Sequence, residues 1–146
     1  MAVTAVAYDK FVANQLAGAA KIDFDSASID CRLLTSAYTP DQAADEFWST
    51  IKADEVATGG GYTAGGQALT NIAVSTASHA TKVDADDPVW SASTITARYA
   101  AFVVHTGADA TDRLIALVDF GQDESSVSAD FKITLDADGF VKFASA

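Results

Sequence analysis

Residues 83–104 constrain the fold of this chain more than any other stretch: Val-Asp-Ala-Asp-Asp-Pro-Val-Trp-Ser-Ala-Ser-Thr-Ile-Thr-Ala-Arg-Tyr-Ala-Ala-Phe-Val-Val. A carboxylate-rich turn leads through Pro88 and Trp90 into a long run with the two-residue period of a strand. Ile95, Ala97, Tyr99, Ala101 and Val103 fall on one face, and Thr94, Thr96, Arg98, Phe102 and Val104 on the other. The second face begins polar and turns apolar, so the far half of this strand needs cover on both sides. A strand covered on both sides requires a layer above and a layer below it.

Other segments repeat the pattern. Leu114, Ala116, Val118 and Phe120 oppose Ile115 and Leu117, and residues 106–112 join this run to the preceding one as a long hairpin loop. Residues 29–35 alternate and end at the turn 36–39. Residues 67–76, with Leu69, Ile72 and Val74, predict a strand with one break in alternation that fits a bulge. Residues 82–84 predict a short strand, and Pro88 suits a sheet edge or the start of a strand. Phe131, Ile133 and Leu135 alternate with Lys132, Thr134 and Asp136. The Asp138-Gly139 turn signal then predicts that residues 140–143 return antiparallel beside them.

Helical signals are confined to the first third. Tyr8, Phe11, Val12, Leu16 and Ala19 are spaced as a short amphipathic helix closed near Gly18. Thr39 can cap, Pro40 suits a first helical position and Gln42 completes a capping box, so the local signals predict a helix over 40–51. Its apolar stripe would be Ala44, Phe47, Trp48 and Ile51, with Asp41, Asp45 and Glu46 facing water. The expected architecture is a mainly β, antiparallel, jelly-roll-like β-sandwich with one or two short helices in the N-terminal third. It forms one domain over 1–146, with a helical arm at 1–28 and the sandwich core at 29–146.

Charge narrows the partners. Twenty Asp+Glu against nine Lys+Arg give a net charge of −11, which repels phosphate backbones and argues against DNA or RNA. No apolar run approaches the ~20 residues of a membrane helix. Asp9 and Lys10 interrupt the early apolar run 2–8, so no signal peptide is expected and the chain is read as made in the cytoplasm. Cys31 is the single cysteine; it alternates with Ile29 and Leu33 and is expected as a buried thiol.

Candidate chemistry resolves mostly into structure. Residues 58–66 hold five glycines but lack the Gly-Lys-Ser/Thr of a phosphate loop, so a structural loop is expected. Asp119-Phe-Gly121 spells a kinase motif without any of the companion motifs. Asp84, Asp86 and Asp87, or Asp136 and Asp138, could gather around Ca²⁺ but match no calcium-loop spacing and are read as turn carboxylates. His79 and His105 have no zinc-ligand spacing, and no Gly-x-Ser-x-Gly elbow exists. No catalytic, cofactor or metal site is therefore expected. Trp48, Trp90 and Tyr62 could stack on sugars, but core or interface packing is the favoured use of such aromatics. Arg98 interrupts an apolar strand and would pair with a nearby Asp or reach a neighbouring subunit. Trp48, Trp90, Arg98 and Phe102 are the interface candidates.

Four stretches in order carry a family resemblance. They are 33–40 (Leu-Leu-Thr-Ser-Ala-Tyr-Thr-Pro), 60–69 (Gly-Gly-Tyr-Thr-Ala-Gly-Gly-Gln-Ala-Leu), 84–98 (Asp-Ala-Asp-Asp-Pro-Val-Trp-Ser-Ala-Ser-Thr-Ile-Thr-Ala-Arg), and 114–121 (Leu-Ile-Ala-Leu-Val-Asp-Phe-Gly) followed by Asp130-Phe131. Together they resemble a family of small virion structural proteins of tailed bacteriophages, over roughly residues 29–143. The resemblance implies a non-enzymatic component of the virion, foremost a capsid decoration or cement protein. Its partner would be the major capsid protein, and the chain would itself be a homo-oligomer, with a trimer the first guess. The alternative is a tail or fibre component in host attachment, with carbohydrate as a possible ligand. Copy number per particle separates the two. The resemblance assigns no binding residues, because its motifs mark turns and core strands.

Overall fold

The computed structural model describes residues 2–18 and 20–144, and its frame is built around the stretch singled out above. Residues 83–104 supply the end of one strand and two whole ones, β7 (Val89–Ser93), irregular where Ala92 adopts a positive φ of 49°, and β8 (Thr96–Val104). The strand before them is β6 (Ala80–Asp84), and the one after is β9 (Leu114–Ser125). β8 and β9 form the expected antiparallel hairpin across the 106–112 loop. On the other side of β8 lies β3 (Ile29–Leu34), also antiparallel, in an unbroken register from Ile29↔Val104 to Leu34↔Tyr99. β2 (Val6–Ala7) and β4 (Gln67–Ala68) complete a five-stranded sheet in the order β2-β9-β8-β3-β4.

Ala100, Ala101, Phe102 and Val103 have no solvent exposure, so the far half of β8 is covered on both faces as its sequence requires. Register places Cys31, Phe102 and Ala116 on one face and Arg32, Ala101 and Leu117 on the other. The first face is covered by a ladder of rings. Phe102 stacks on Phe140 with centroids 4.9 Å apart, Phe140 meets Phe24 at 6.2 Å, and Phe24 meets Phe11 at 6.0 Å. Behind Phe140 stands a three-stranded antiparallel sheet of β12 (Val141–Ala144), β6 and β5 (Ala73–Ala77), which brings Val83 and Val141 into the core. The second face is covered by residues 35–54, through Tyr38 edge-on to Tyr99 at 5.5 Å and Trp48 beneath Arg32. The chain is thus mainly β, its sheets antiparallel apart from one short parallel pair, with two short helices among the described residues, both before residue 52.

Residues 2–28 are part of this frame. β1 (Ala2–Val3) pairs parallel with β11 (Thr134–Leu135), β2 completes the central sheet, and α1 (Asp9–Ala17) buries Phe11. Gly18 closes α1 in the left-handed conformation at φ 77°, as its position in the sequence suggests. Ala19, counted in that helix's apolar pattern, lies outside the described residues. Cys31 is buried, and burial raises its thiol pKa well above the ordinary value.

Three expectations are corrected. The helix over 40–51 is reduced to α2 (Trp48–Ile51), followed by a 3-10 turn at Lys52–Asp54. Asp41 Oδ1 accepts the Ala44 N–H, and Asp45 turns inward to accept hydrogen bonds from the Tyr38 hydroxyl at 2.7 Å and the Asp41 N–H at 3.1 Å. Side-chain bonds to the local backbone compete with helix, while Phe47 bridges to Arg113 like a short extra strand. Asp45 is therefore buried rather than water-facing, and Ala44 is exposed. Residues 67–76 form no single bulged strand. β4 and β5 belong to different sheets, and Asn71 with φ 53° turns the chain between them.

The third correction concerns residues 131–143. β10 (Ala129–Lys132) pairs with β7, and β12 returns not beside it but against β6. The Asp138-Gly139 turn does form, with the Gly139 N–H bonded to the Asp136 carbonyl at 3.0 Å. Gly139 then lies so close to β6 that an added Cβ would be 2.2 Å from the Val83 carbonyl oxygen. The turn signal is local, whereas the strand's partner is chosen by where Phe140 packs.

Candidate functional site

An open cleft of about 540 Å³ is lined by residues from β3, α2, the glycine-rich loop and the 106–112 loop. At its floor lies Arg32, whose place on β3 puts it on the same face as Asp30. The Arg32 side chain is 3% exposed. One guanidinium nitrogen donates to Asp30 Oδ2 at 2.9 Å and to Asp112 Oδ2 at 2.7 Å. The guanidinium lies over the Trp48 ring, 4.9 Å from its centroid, which is a favourable cation–π distance. Arg32 Nε is the one buried side-chain nitrogen or oxygen without a hydrogen-bond partner among the described residues.

Asp112 is the hub that ties this cluster to the loops. Its Oδ1 accepts the Thr106 N–H at 2.7 Å and the Thr106 hydroxyl at 2.8 Å, while its carbonyl accepts the Trp48 N–H at 2.8 Å. Burial works against its charge, but the bonds from Thr106 and Arg32 outweigh burial and hold its pKa below the usual carboxylate value. The Arg32 balance has the same form. Burial disfavours its charge, yet Asp30 and Asp112 keep its pKa above the ordinary arginine value. At the rim, Lys52 pairs with Asp109 at 2.6 Å, and His105 Nδ1 lies 3.1 Å from Asp30 Oδ2. Glu55, on the opposite wall, accepts the Tyr62 hydroxyl at 2.8 Å and the Gly65 N–H at 2.7 Å.

Four carboxylates (Asp30, Asp109, Asp112, Glu55) stand against Arg32 and Lys52 here, so the cleft is biased toward negative charge. It suits a neutral or basic group better than an anion. Its deep groups act as cross-braces that fasten three loops to the central sheet. No family model, curated protein or solved structure matches the chain. Its chemistry has therefore to be read from its own residues.

The aromatic candidates lie inside the chain's own core. Trp48, Trp90 and Tyr62 are 1%, 6% and 1% exposed, so none offers a ring face to a sugar. Trp90 packs between Tyr62 and Phe131, at 5.8 Å and 6.1 Å. Phe102 is likewise enclosed. Of the four interface candidates only Arg98 reaches the surface, where it donates to Asp119 at 2.8 Å, the first of the two roles expected for it.

The acidic turns are occupied by local bonds. Asp84 accepts the Ala85 N–H, Asp86 takes Thr70 and Asn71, Asp87 takes the Leu135 N–H, Asp136 takes Thr4 and Asp138 pairs with Lys142. No group of three or more His, Cys, Asp or Glu converges as a metal site among the described residues. A second buried network joins Tyr8 to Tyr38 at 3.0 Å and Tyr38 to Asp45. Burial raises the pKa of both phenols, and in Tyr38 the bond to Asp45 raises it further.

Sequence reading missed the Asp30–Arg32–Asp112 cluster. A signal existed: two charged residues two apart inside an otherwise apolar strand must share a face and need a partner. The glycine-rich loop explains one wall of the cleft. At Gly66 (φ 72°) an added Cβ would lie 2.1 Å from the Cys31 carbonyl oxygen and 2.9 Å from Arg32 Cα, whereas Gly65 (φ 99°) has open space around it. Gly65→Ala should cost about 1 kcal/mol for its backbone conformation alone, and Gly66→Ala about 2–3 kcal/mol because β3 must also move. Urea denaturation of the two variants measures this, and equal costs would contradict the close approach of the loop to β3.

Proposed function

We propose that the chain is a non-enzymatic component of a tailed-bacteriophage particle, foremost a capsid decoration protein that binds the outer shell and resists its expansion. The observation that carries this reading is the ordered set of four stretches that resembles small virion proteins. In the structure these stretches occupy the end of β3 with the turn after it, the glycine-rich loop with β4, the β7–β8 region, and much of β9 with part of β10. They form the frame of the domain rather than the lining of one pocket.

Two physical features support the reading. The buried ionic and phenolic groups brace loops against sheets, which gives a rigid body suited to holding subunits together. All carboxylates except Asp30, Asp45 and Asp112 reach the surface at least partly. That acidic coat favours attachment to a basic shell surface, with association that weakens as salt screens it.

Quantitative mass spectrometry and electron microscopy of particles from the encoding phage test the proposal. The expected result is hundreds of copies distributed over the shell, and loss of shell binding by the purified chain at high salt. A handful of copies at the tail tip would move the assignment to the tail or fibre alternative. Absence from the particle would overturn both.

A further inference from the structure

We propose that β5 is a self-association edge through which two copies of this chain pair antiparallel about a two-fold axis at Ser75. The inference does not depend on a virion role. β5 is the outer strand of its sheet, and all five of its residues, Ala73 to Ala77, are exposed. Its register with β6 runs unbroken from Ala73↔Asp84 to Ala77↔Ala80, closed by a two-residue loop in which Ser78 and His79 have φ of 50° and 63°. Positive φ at both loop residues marks the tight turn whose closing pair exchanges both hydrogen bonds. Ala77, Ser75 and Ala73 therefore bond inward to β6, and the N–H and C=O groups of Val74 and Thr76 point outward along the free edge.

That edge carries none of the devices that keep strands from pairing. β5 contains no proline, no charged side chain and no bulge, and Val74 is an exposed apolar residue at 45%. Charge selects the occupant. Residues 56–83 contain no Asp or Glu and only one Lys or Arg, Lys82, although the whole chain holds 20 acidic residues. Two copies with a net charge of −11 each repel over most of their surfaces. The β5–β6 hairpin carries a single carboxylate, Asp84, at its open end opposite Ala73, so two copies that meet along β5 face little of that repulsion.

The geometry of β5 fits itself. With Ser75 opposite its own copy, Val74 of one chain faces Thr76 of the other. Those pairs exchange four main-chain hydrogen bonds, and the two three-stranded sheets become one six-stranded sheet. On the other face of the strand small residues oppose one another, Ala73 against Ala77 and Ser75 against Ser75. The pairing is isologous and closes at two, so it gives a dimer and not the trimer first guessed. Five-residue edges bury far less than the roughly 1,000 Å² of a stable interface, so the dimer is weak and forms where copies are concentrated.

Sedimentation velocity over a concentration series tests this with the full chain. The mass should rise from 15.1 kDa toward twice that value as concentration increases. Val74→Pro removes two of the four intermolecular bonds while sparing the hairpin ladder, and should weaken dimerisation about thirtyfold with little change in melting temperature. Ser75→Cys places two thiols across the axis at disulfide reach. It should form a covalent dimer under mild oxidation much faster than Ala44→Cys, an exposed control distant from β5 in sequence. A strictly monomeric mass at every concentration would overturn the proposal. So would equal cross-linking of the two cysteine variants, or self-association unchanged by Val74→Pro.

Discussion

Arg32→Met is expected to lower unfolding stability by about 3–5 kcal/mol at neutral pH, read by urea denaturation. Methionine keeps most of the aliphatic stem and removes the charge together with its contact on the Trp48 ring. Asp30 and Asp112 then remain, 8% and 2% exposed, without the guanidinium that neutralises them. Removing one partner of a buried pair is worse than never having built it, because the survivor keeps its desolvation cost. The pH dependence gives a second readout. In the parent chain the Asp112 carboxyl is held below its usual value, so its contribution is present above the unfolded pKa and is lost as pH falls through the lowered folded one. In the variant the Asp112 carboxyl loses the Arg32 bonds that help to hold its pKa down, and its folded pKa rises. Acid then protonates Asp112 in the native state of the variant and relieves the penalty, so the parent and variant curves should converge as pH falls through the lowered Asp112 pKa of the parent. A loss below about 1 kcal/mol, the size of a surface ion pair, would place this cluster in water and contradict the geometry.

What the sequence reveals of this molecule follows from how local each signal is. β8 and β9 are legible because period-two alternation with apolar residues on both faces has few other solutions. Gly18 is legible because a helix end needs little beyond its own turn. The 40–51 segment shows the limit. Capping residues and an apolar stripe are all present, yet Asp45 bonds better to Tyr38 and Asp41 than a helix would allow, and Phe47 finds an edge beside Arg113. Tertiary bonds there outweigh a propensity of a few tenths of a kcal/mol per residue. Asp138-Gly139 is a correct turn with a wrong partner, since a turn reverses the chain but does not choose which strand it meets. The cleft was illegible for a related reason. Asp112 lies 80 positions from Arg32, and no spacing rule connects a strand residue to a loop that far away.

Phe102→Ala is expected to cost about 3–5 kcal/mol, the range for deleting a buried ring that its surroundings cannot refill. The surroundings here are stiff. Phe102 sits mid-strand between β3 and β9, opposite Cys31 and Ala116, so backbone collapse would have to move three paired strands together. On its open side the ring stacks on Phe140, which also meets Phe24, so the cavity would loosen the contact between the two packed sheets. Phe143→Ala is the internal comparison. Phe143 touches Phe11 at 6.3 Å but is 40% exposed at the end of β12, and its removal should cost about 1 kcal/mol or less. Hydrogen exchange sharpens the distinction, since loss of Phe102 should deprotect β3, β8 and β9 as one unit, whereas loss of Phe143 should affect only β12. Equal costs for the two variants would mean that the ring ladder does not join the sheets, and that β8 draws its cover from the Trp48 side alone.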